Sequence, residues 1–232
     1  MVYKMINSKY KVFIESIAIT VVILMIGLSL GLYIESHRTK KIVDSYKDFE
    51  VEALDLKLQN YYYQIMGESS CKYAIEQNFQ FADDLYTRGL ELERSEESNQ
   101  ITDNLLREKK KYVLLKTELW LNSILLKKKC KDPFDTVVYL YSSDPSNNIK
   151  VAQQKVLSNI LKTVKENKGD KIILLPIAGD LKKGDDKSQM LGAVNLQIKM
   201  YNITYLPSII INEKKVLEGY HDIKEIESYL RR

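Results

Sequence analysis

The sequence predicts an α+β protein: an N-terminal transmembrane helix, an antiparallel α-helical region, and a C-terminal α/β domain. Three observations carry that prediction. Ser16 to Ile34 is an apolar run without a charge. Residues 37–129 repeat apolar side chains at helical steps of three and four. From Asp132-Pro133 onward, compact β-branched runs alternate with helical ones. The 232 residues therefore divide into a tail over 1–11, a transmembrane helix over 12–35, a helical hairpin or bundle over 36–131, and an α/β domain over 132–232.

Ser16 to Ile34 holds nineteen residues, about 28 Å of helix at 1.5 Å per residue. The hydrocarbon layer is ~30 Å thick, and Val12 to Ile14 extend the run to match it. A cleaved signal peptide has a shorter apolar region and a small-residue cleavage site. Here Tyr-Ile-Glu-Ser-His-Arg follows instead, so a retained single-pass helix in the lipid bilayer is expected. Lys4, Lys9 and Lys11 precede the span, while Arg38, Lys40, Lys41 and Lys47 follow it, so flanking charge does not orient it.

In the helical region, Ile42, Tyr46, Phe49, Ala53 and Leu56 form one stripe. Val51, Leu54, Leu58, Tyr61 and Ile65 form a second, which predicts broad burial of this helix. Gly67-Glu68-Ser69-Ser70 breaks the pattern. A second helix carries Ile75, Phe79, Ala82, Tyr86 and Leu90, and a third carries Leu105, Tyr112, Leu119 and Leu126. Short polar connections make such helices antiparallel neighbours. The runs Lys109-Lys110-Lys111 and Lys127-Lys128-Lys129 read as solvated helix faces or ends.

Thr136 to Tyr141 is a buried strand, and Asp144-Pro145 is suited to start the helix that follows. Lys171 to Ile177 is a second strand, which makes a parallel βαβ unit. A helix from about Met190 to Tyr201 then leads to Tyr205-Leu206-Pro207. The strands Ser208–Ile211 and Val216–Glu218 and a final helix from Ile223 to Leu230 complete the chain.

The order β-α-β-α-(X-Pro)-β-β-α, with the segments TVVYLYSSDPSNN and NITYLPSIIINEKKVLEG, resembles the thioredoxin superfamily over about residues 133–232. The resemblance implies a thioredoxin-like domain with a C-x-x-C motif after the first strand and a cis-proline facing it. Here Pro145-Ser146-Asn147-Asn148 occupies the motif's place, so the slot is degenerate and has no thiol. Dithiol exchange needs a thiolate and a resolving thiol, so no redox activity carries over to that slot. The cis-proline loop Tyr205, Leu206 and Pro207 carries over as a peptide-binding element.

Cys71 begins the second helix and Cys130 ends the third. In an antiparallel pair those ends coincide, within bridging reach. A bridge of that kind persists outside the cytoplasm, which places the domains after the span extracytoplasmically. Two other uses stay open: a redox-active pair favoured by the neighbouring lysines, or two buried free thiols.

Composition narrows the function classes. Apolar residues are 45% and charged residues 28%, as in an ordinary folded protein. A net charge of +4 is too small for a nucleic-acid partner. Two histidines and two cysteines leave no four-ligand zinc site and no disulfide-dense framework. The sequence contains no G-x-S-x-G, Walker loop or H-E-x-x-H, and the carboxylates of Gly179 to Asp186 lack calcium-loop spacing. No cofactor, metal or catalytic residue is expected. The function these readings lead to is that of a membrane-anchored, non-enzymatic protein that binds a protein or peptide partner as a chaperone or scaffold. The alternatives are a thiol–disulfide oxidoreductase using Cys71 and Cys130, or a helical assembly subunit. Partner identity and oligomeric state are not determined by sequence.

Overall fold

The computed structural model describes residues 8–66, 68–97, 103–131, 133–143, 146, 148–182 and 191–231. The chain divides into two compact units, Met1–Lys47 and Asp48–Arg232. Helix α1 runs over Ser8–Met66 and crosses that boundary. Its stretch Val12–Ile34 is long and apolar enough to cross a membrane, and none of it is buried against protein. At 23 residues it spans about 35 Å.

In the second unit, α2 (Cys71–Glu97) and α3 (Asp103–Lys129) are the expected antiparallel neighbours. Three contacts set their direction: Cys71 meets Cys130, Asn78 Nδ2 donates to Ser123 Oγ at 2.9 Å, and the Tyr112 hydroxyl donates to the Leu85 carbonyl at 3.0 Å. As one helix advances, its partner recedes. The third helix buries Tyr112, Leu119, Leu126, Val113 and Trp120, on the face its spacing indicates.

Two expectations for these helices are corrected. The buried face of α2 is Ala74, Asn78, Phe81, Leu85 and Leu92, about one residue round from Ile75, Phe79, Ala82 and Tyr86. The shift follows from Asn78, which is fully buried with its Nδ2 donating to Ser123 Oγ. A reading that counts only apolar positions passes over it. The stripe Val51, Leu54, Leu58, Tyr61 and Ile65 is exposed rather than buried. Side chains of the companion stripe at Ile42, Tyr46, Phe49, Ala53 and Leu56, and those of Leu90 and Leu105, lie outside the described set.

The C-terminal part is a mixed four-stranded sheet flanked by helices. Its elements are β1 (Asp135–Tyr141), α4 (Asn148–Lys168), β2 (Ile172–Ala178), α5 (Gly192–Met200), β3 (Ser208–Ile211), β4 (Lys215–Glu218) and α6 (Ile223–Ser228). The strand order is β2-β1-β3-β4. β1 pairs parallel with β2, from Asp135 opposite Ile172 to Tyr141 opposite Ala178. It pairs antiparallel with β3, Val137 opposite Ile211, and β3 continues antiparallel to β4. Pro176 falls on the outer strand β2, where a missing N–H disturbs no interior ladder. Alternate residues of β1 face α4 and α6, so Val137, Tyr139, Leu157, Leu161, Ile209, Leu217 and Ile226 form one core. α4 starts at Asn148; Asp144 and Pro145, expected to open it, lie outside the described residues.

A polar network joins α3 to the β3–β4 turn. Lys127 is buried, not solvated as its run of lysines suggested. Its Nζ reaches Thr136 Oγ1 at 3.1 Å, Asn212 Oδ1 at 2.8 Å and Glu213 Oε2 at 3.0 Å. Trp120 Nε1 donates to Glu213 Oε1 at 3.0 Å. Asn212 and Glu213 both take left-handed φ, 54° and 56°, as a type I′ turn requires of its central residues. Asparagine tolerates that region and glutamate does not. Lys127, Trp120 and the Thr136 hydroxyl, which donates to Glu213 Oε1 at 2.5 Å, hold the carboxylate there.

Candidate functional site

Cys71 follows a short 3-10 turn, Glu68–Ser70, and is the first residue of α2. Cys130 follows α3, and its amide still donates to the Leu126 carbonyl at 2.7 Å. The helix ends therefore bring the two Cα atoms to 5.6 Å, and the sulfurs are joined in a disulfide across 59 residues of sequence. Both cysteines are half-buried, while Lys72, Lys128 and Lys131 beside them in sequence are exposed. Lys131 leaves the helix at φ 60°. Lys129 donates from Nζ to the Tyr63 carbonyl and Lys57 approaches Glu118 at 3.5 Å, so the last turns of α1 lie against α3. Of the tyrosine run, Tyr61 and Tyr62 are exposed and Tyr63 is half-buried, its hydroxyl donating to Gln59 Oε1 at 3.3 Å.

This disulfide overturns the expectation of a redox-inert, non-enzymatic binding or scaffold protein. That expectation rested on the missing thiols at Pro145-Ser146-Asn147-Asn148. A two-electron couple requires only two sulfurs at bonding distance. The helical hairpin supplies them at Cys71 and Cys130. The alternative expectation, a thiol–disulfide couple at Cys71 and Cys130, is the one the bonded pair favours.

The sheet domain carries both the end of β1 and the proline loop. Ser146 and Asn148 are exposed; Pro145 and Asn147 lie outside the described residues. The strand end before the slot is fastened by Asp180: Ser143 donates from its amide at 2.6 Å and from its hydroxyl at 2.8 Å, and the Ser142 hydroxyl donates to the other carboxylate oxygen. Gln154 clasps the Ser142 backbone on both sides, at 2.7 and 3.1 Å. Asp180 is thus the anchor of the β1 end. Its role was invisible because the pairing partners lie 37 and 38 residues away.

The Leu206–Pro207 bond is cis. Lys150 sits 5.3 Å from the Tyr205 ring centroid and Gln153 lies 3.4 Å from its hydroxyl, so this loop faces the first turns of α4. Much of the loop backbone is engaged. Gly219 donates to the Pro207 carbonyl at 2.8 Å, the Ser208 hydroxyl donates to the Tyr205 carbonyl, and Glu218 accepts from the Thr204 and Tyr205 amides at 2.6 and 3.2 Å. The hydrogen bond from the Thr204 amide is the main reason the Glu218 carboxyl is held below its ordinary range. His221 bridges Glu225 at 2.9 Å and the Glu218 carbonyl at 3.1 Å. Among the described residues no cluster of three His, Cys, Asp or Glu is arranged to hold a metal ion.

No protein-family model matches this chain, and no curated protein matches it either.

Proposed function

We propose that this chain is a membrane-anchored thiol–disulfide exchange protein whose working couple is Cys71–Cys130. The carrying observation is the formed disulfide between two half-buried cysteines at the open end of the α2–α3 pair. Exposed lysines beside both positions favour the thiolate form once the bridge opens. The substrate class is a protein dithiol. One partner thiolate attacks one sulfur of the pair, the Cys71–Cys130 bond breaks, and a mixed disulfide forms as the second sulfur leaves as thiolate. The partner's other thiolate then attacks the partner sulfur of the mixed disulfide. Two electrons pass to the pair, which takes up two protons, and the partner leaves with its own disulfide.

In this reading Val12–Ile34 is the membrane anchor, and the domains after it stand outside the cytoplasm, where a disulfide persists. The C-terminal sheet is a thioredoxin-like scaffold, supported by its strand order β2-β1-β3-β4 and by the element order along the chain. In it the helical pair, not the first βα turn, carries the sulfurs.

The test uses the full chain in lipid nanodiscs, mixed with a reduced dithiol peptide and quenched with acid at intervals. Mass analysis should show the peptide gaining its disulfide while Cys71 and Cys130 become alkylatable, and a single Cys71→Ser or Cys130→Ser variant should capture the peptide when supplied as its activated mixed disulfide. If the pair stays closed against the dithiol until denaturant is added, the bridge is a structural clamp and the proposal fails.

A further inference from the structure

The second unit contains a cavity of about 760 Å³ that the cysteine chemistry does not use. It lies between α2, α3, α4 and the β1–β2 side of the sheet. Its nearest lining residue on α2, Ala82, stands eleven positions from Cys71, about 16 Å of helix rise. Its volume falls within the ~300–1,000 Å³ common for small-molecule sites.

The wall has two chemical features. The first is aromatic: Tyr86, Tyr112, Tyr139 and Tyr141 all line it. Tyr139 and Tyr141 alternate along β1 to the same face, with ring centroids 5.8 Å apart and planes tilted by 31°. The Tyr139 hydroxyl donates to the Gln154 carbonyl and that of Tyr112 to the Leu85 carbonyl, each at 3.0 Å. Both hydroxyls are thereby taken up by backbone carbonyls, which leaves the rings as what these two residues contribute to the lining. Gly89 makes this possible for Tyr112: a Cβ at Gly89 would stand 1.7 Å from the tyrosine oxygen.

The second feature is an excess of positive charge. Lys116, Lys155, Lys162 and Lys165 line the cavity against two carboxylates, Asp83 and Glu166. Glu166 pairs with Lys162 at 4.0 Å, while Lys165 donates to the Gly169 and Ile172 carbonyls at 2.9 and 3.0 Å. Lys155 stands exposed at the rim. Lys116 is only 5% exposed, with Nζ 4.0 Å from the Tyr112 ring centroid. A cation so placed acts through a lower effective dielectric than water and attracts an anion more strongly.

Ring faces favour a flat apolar body, and a buried ammonium favours a single negative charge on it. We propose that this cavity binds a planar aromatic monoanion of the aryl carboxylate class, with its ring among the tyrosines and its carboxylate toward Lys116. The site is independent of the disulfide exchange proposed above.

The experiment titrates the full chain in lipid nanodiscs with 2-naphthoate, using empty nanodiscs as the blank, and repeats the titration with uncharged 2-naphthamide. Naphthoate should give one saturable site and bind about tenfold more tightly than the amide, the order expected of a charge-assisted contact. Lys116→Met keeps the stem and removes the charge, and should erase that preference. Ser158→Trp lies on the exposed face of α4 where it lines the cavity, and should block both ligands by filling the space. It carries the test if Lys116→Met does not fold by circular dichroism. The proposal is overturned by no saturation above the blank, by equal affinity for acid and amide, or by binding undiminished in both variants.

Discussion

At Gly89 the helix α2 gives up side-chain volume where the Tyr112 ring of α3 packs against it. Alanine is ordinarily the better helix former by about 1 kcal/mol. Here its Cβ would fall 1.7 Å from the Tyr112 oxygen and 2.6 Å from the ring carbon bearing it, so the ring must leave its place and its bond to Leu85. Overpacking costs about 1–3 kcal/mol, and that outweighs the propensity gain. Gly89→Ala should therefore lower the thermal midpoint of the full chain in nanodiscs; an unchanged or raised midpoint would show that Tyr112 yields without cost. Glu218 offers a pH-dependent case at the same scale. Its folded carboxyl titrates below its ordinary value of 4.5, chiefly through the Thr204 amide. The stabilisation is thus present above that value and is lost as pH falls through the folded one. The difference in midpoint between wild type and Glu218→Gln should shrink on acidification below about pH 4.5. A difference constant from pH 7 to pH 3 would show that the loop is held without the ionised carboxylate.

Among the elements, legibility in the sequence followed how local the deciding interaction is. β1 and β2 were readable because a strand buried on both faces is a continuous apolar run, and Val137 to Leu140 and Ile172 to Ile173 are such runs. The hairpin direction of α2 and α3 followed from their short connection. The buried face of α2 did not, since Asn78 is in the core only through a serine 45 residues away. The docking of α3 on the sheet was equally hidden: Lys127 meets Glu213 across 86 residues, and a run of lysines otherwise reads as surface. For the candidate site, the cysteine ends were visible as a pair. Their use as a redox couple stood only as an alternative, because the missing thiols after β1 carried more weight than the pair itself. The element-scale prediction concerns the α3 network. Lys127→Met leaves the mostly buried Glu213 carboxylate without its cation, and breaking such a pair costs about 3 kcal/mol or more. Adding Glu213→Gln removes the orphaned charge, so the double variant should be more stable than Lys127→Met alone. Strict additivity in that double-mutant cycle would show that the two groups are not coupled.

For the whole molecule, the exchange reading sets a requirement that a purely structural bridge does not. The protein must stay folded with its disulfide open, or the reduced pair cannot be offered again. In the loop-entropy model a bridge closing 59 residues stabilises by about 4 kcal/mol, set against a typical total of about 5–15 kcal/mol. What remains has to come from contacts independent of sulfur. The α2–α3 pair has them: Leu85, Leu119 and Trp120 are almost wholly buried, the Asn78–Ser123 and Tyr112–Leu85 hydrogen bonds lie along the seam, and Trp120 and Lys127 tie α3 to Glu213 on the sheet. The prediction is that full-length protein reduced in nanodiscs keeps its helical circular dichroism at 25 °C while its thermal midpoint drops. Amide exchange should quicken first near Cys71 and Cys130 and last around Leu119 and Trp120. Loss of protection along the whole of α2 and α3 upon reduction would mean that the bridge holds the pair together. A protein that came apart in each reduced state could not serve as an exchange couple.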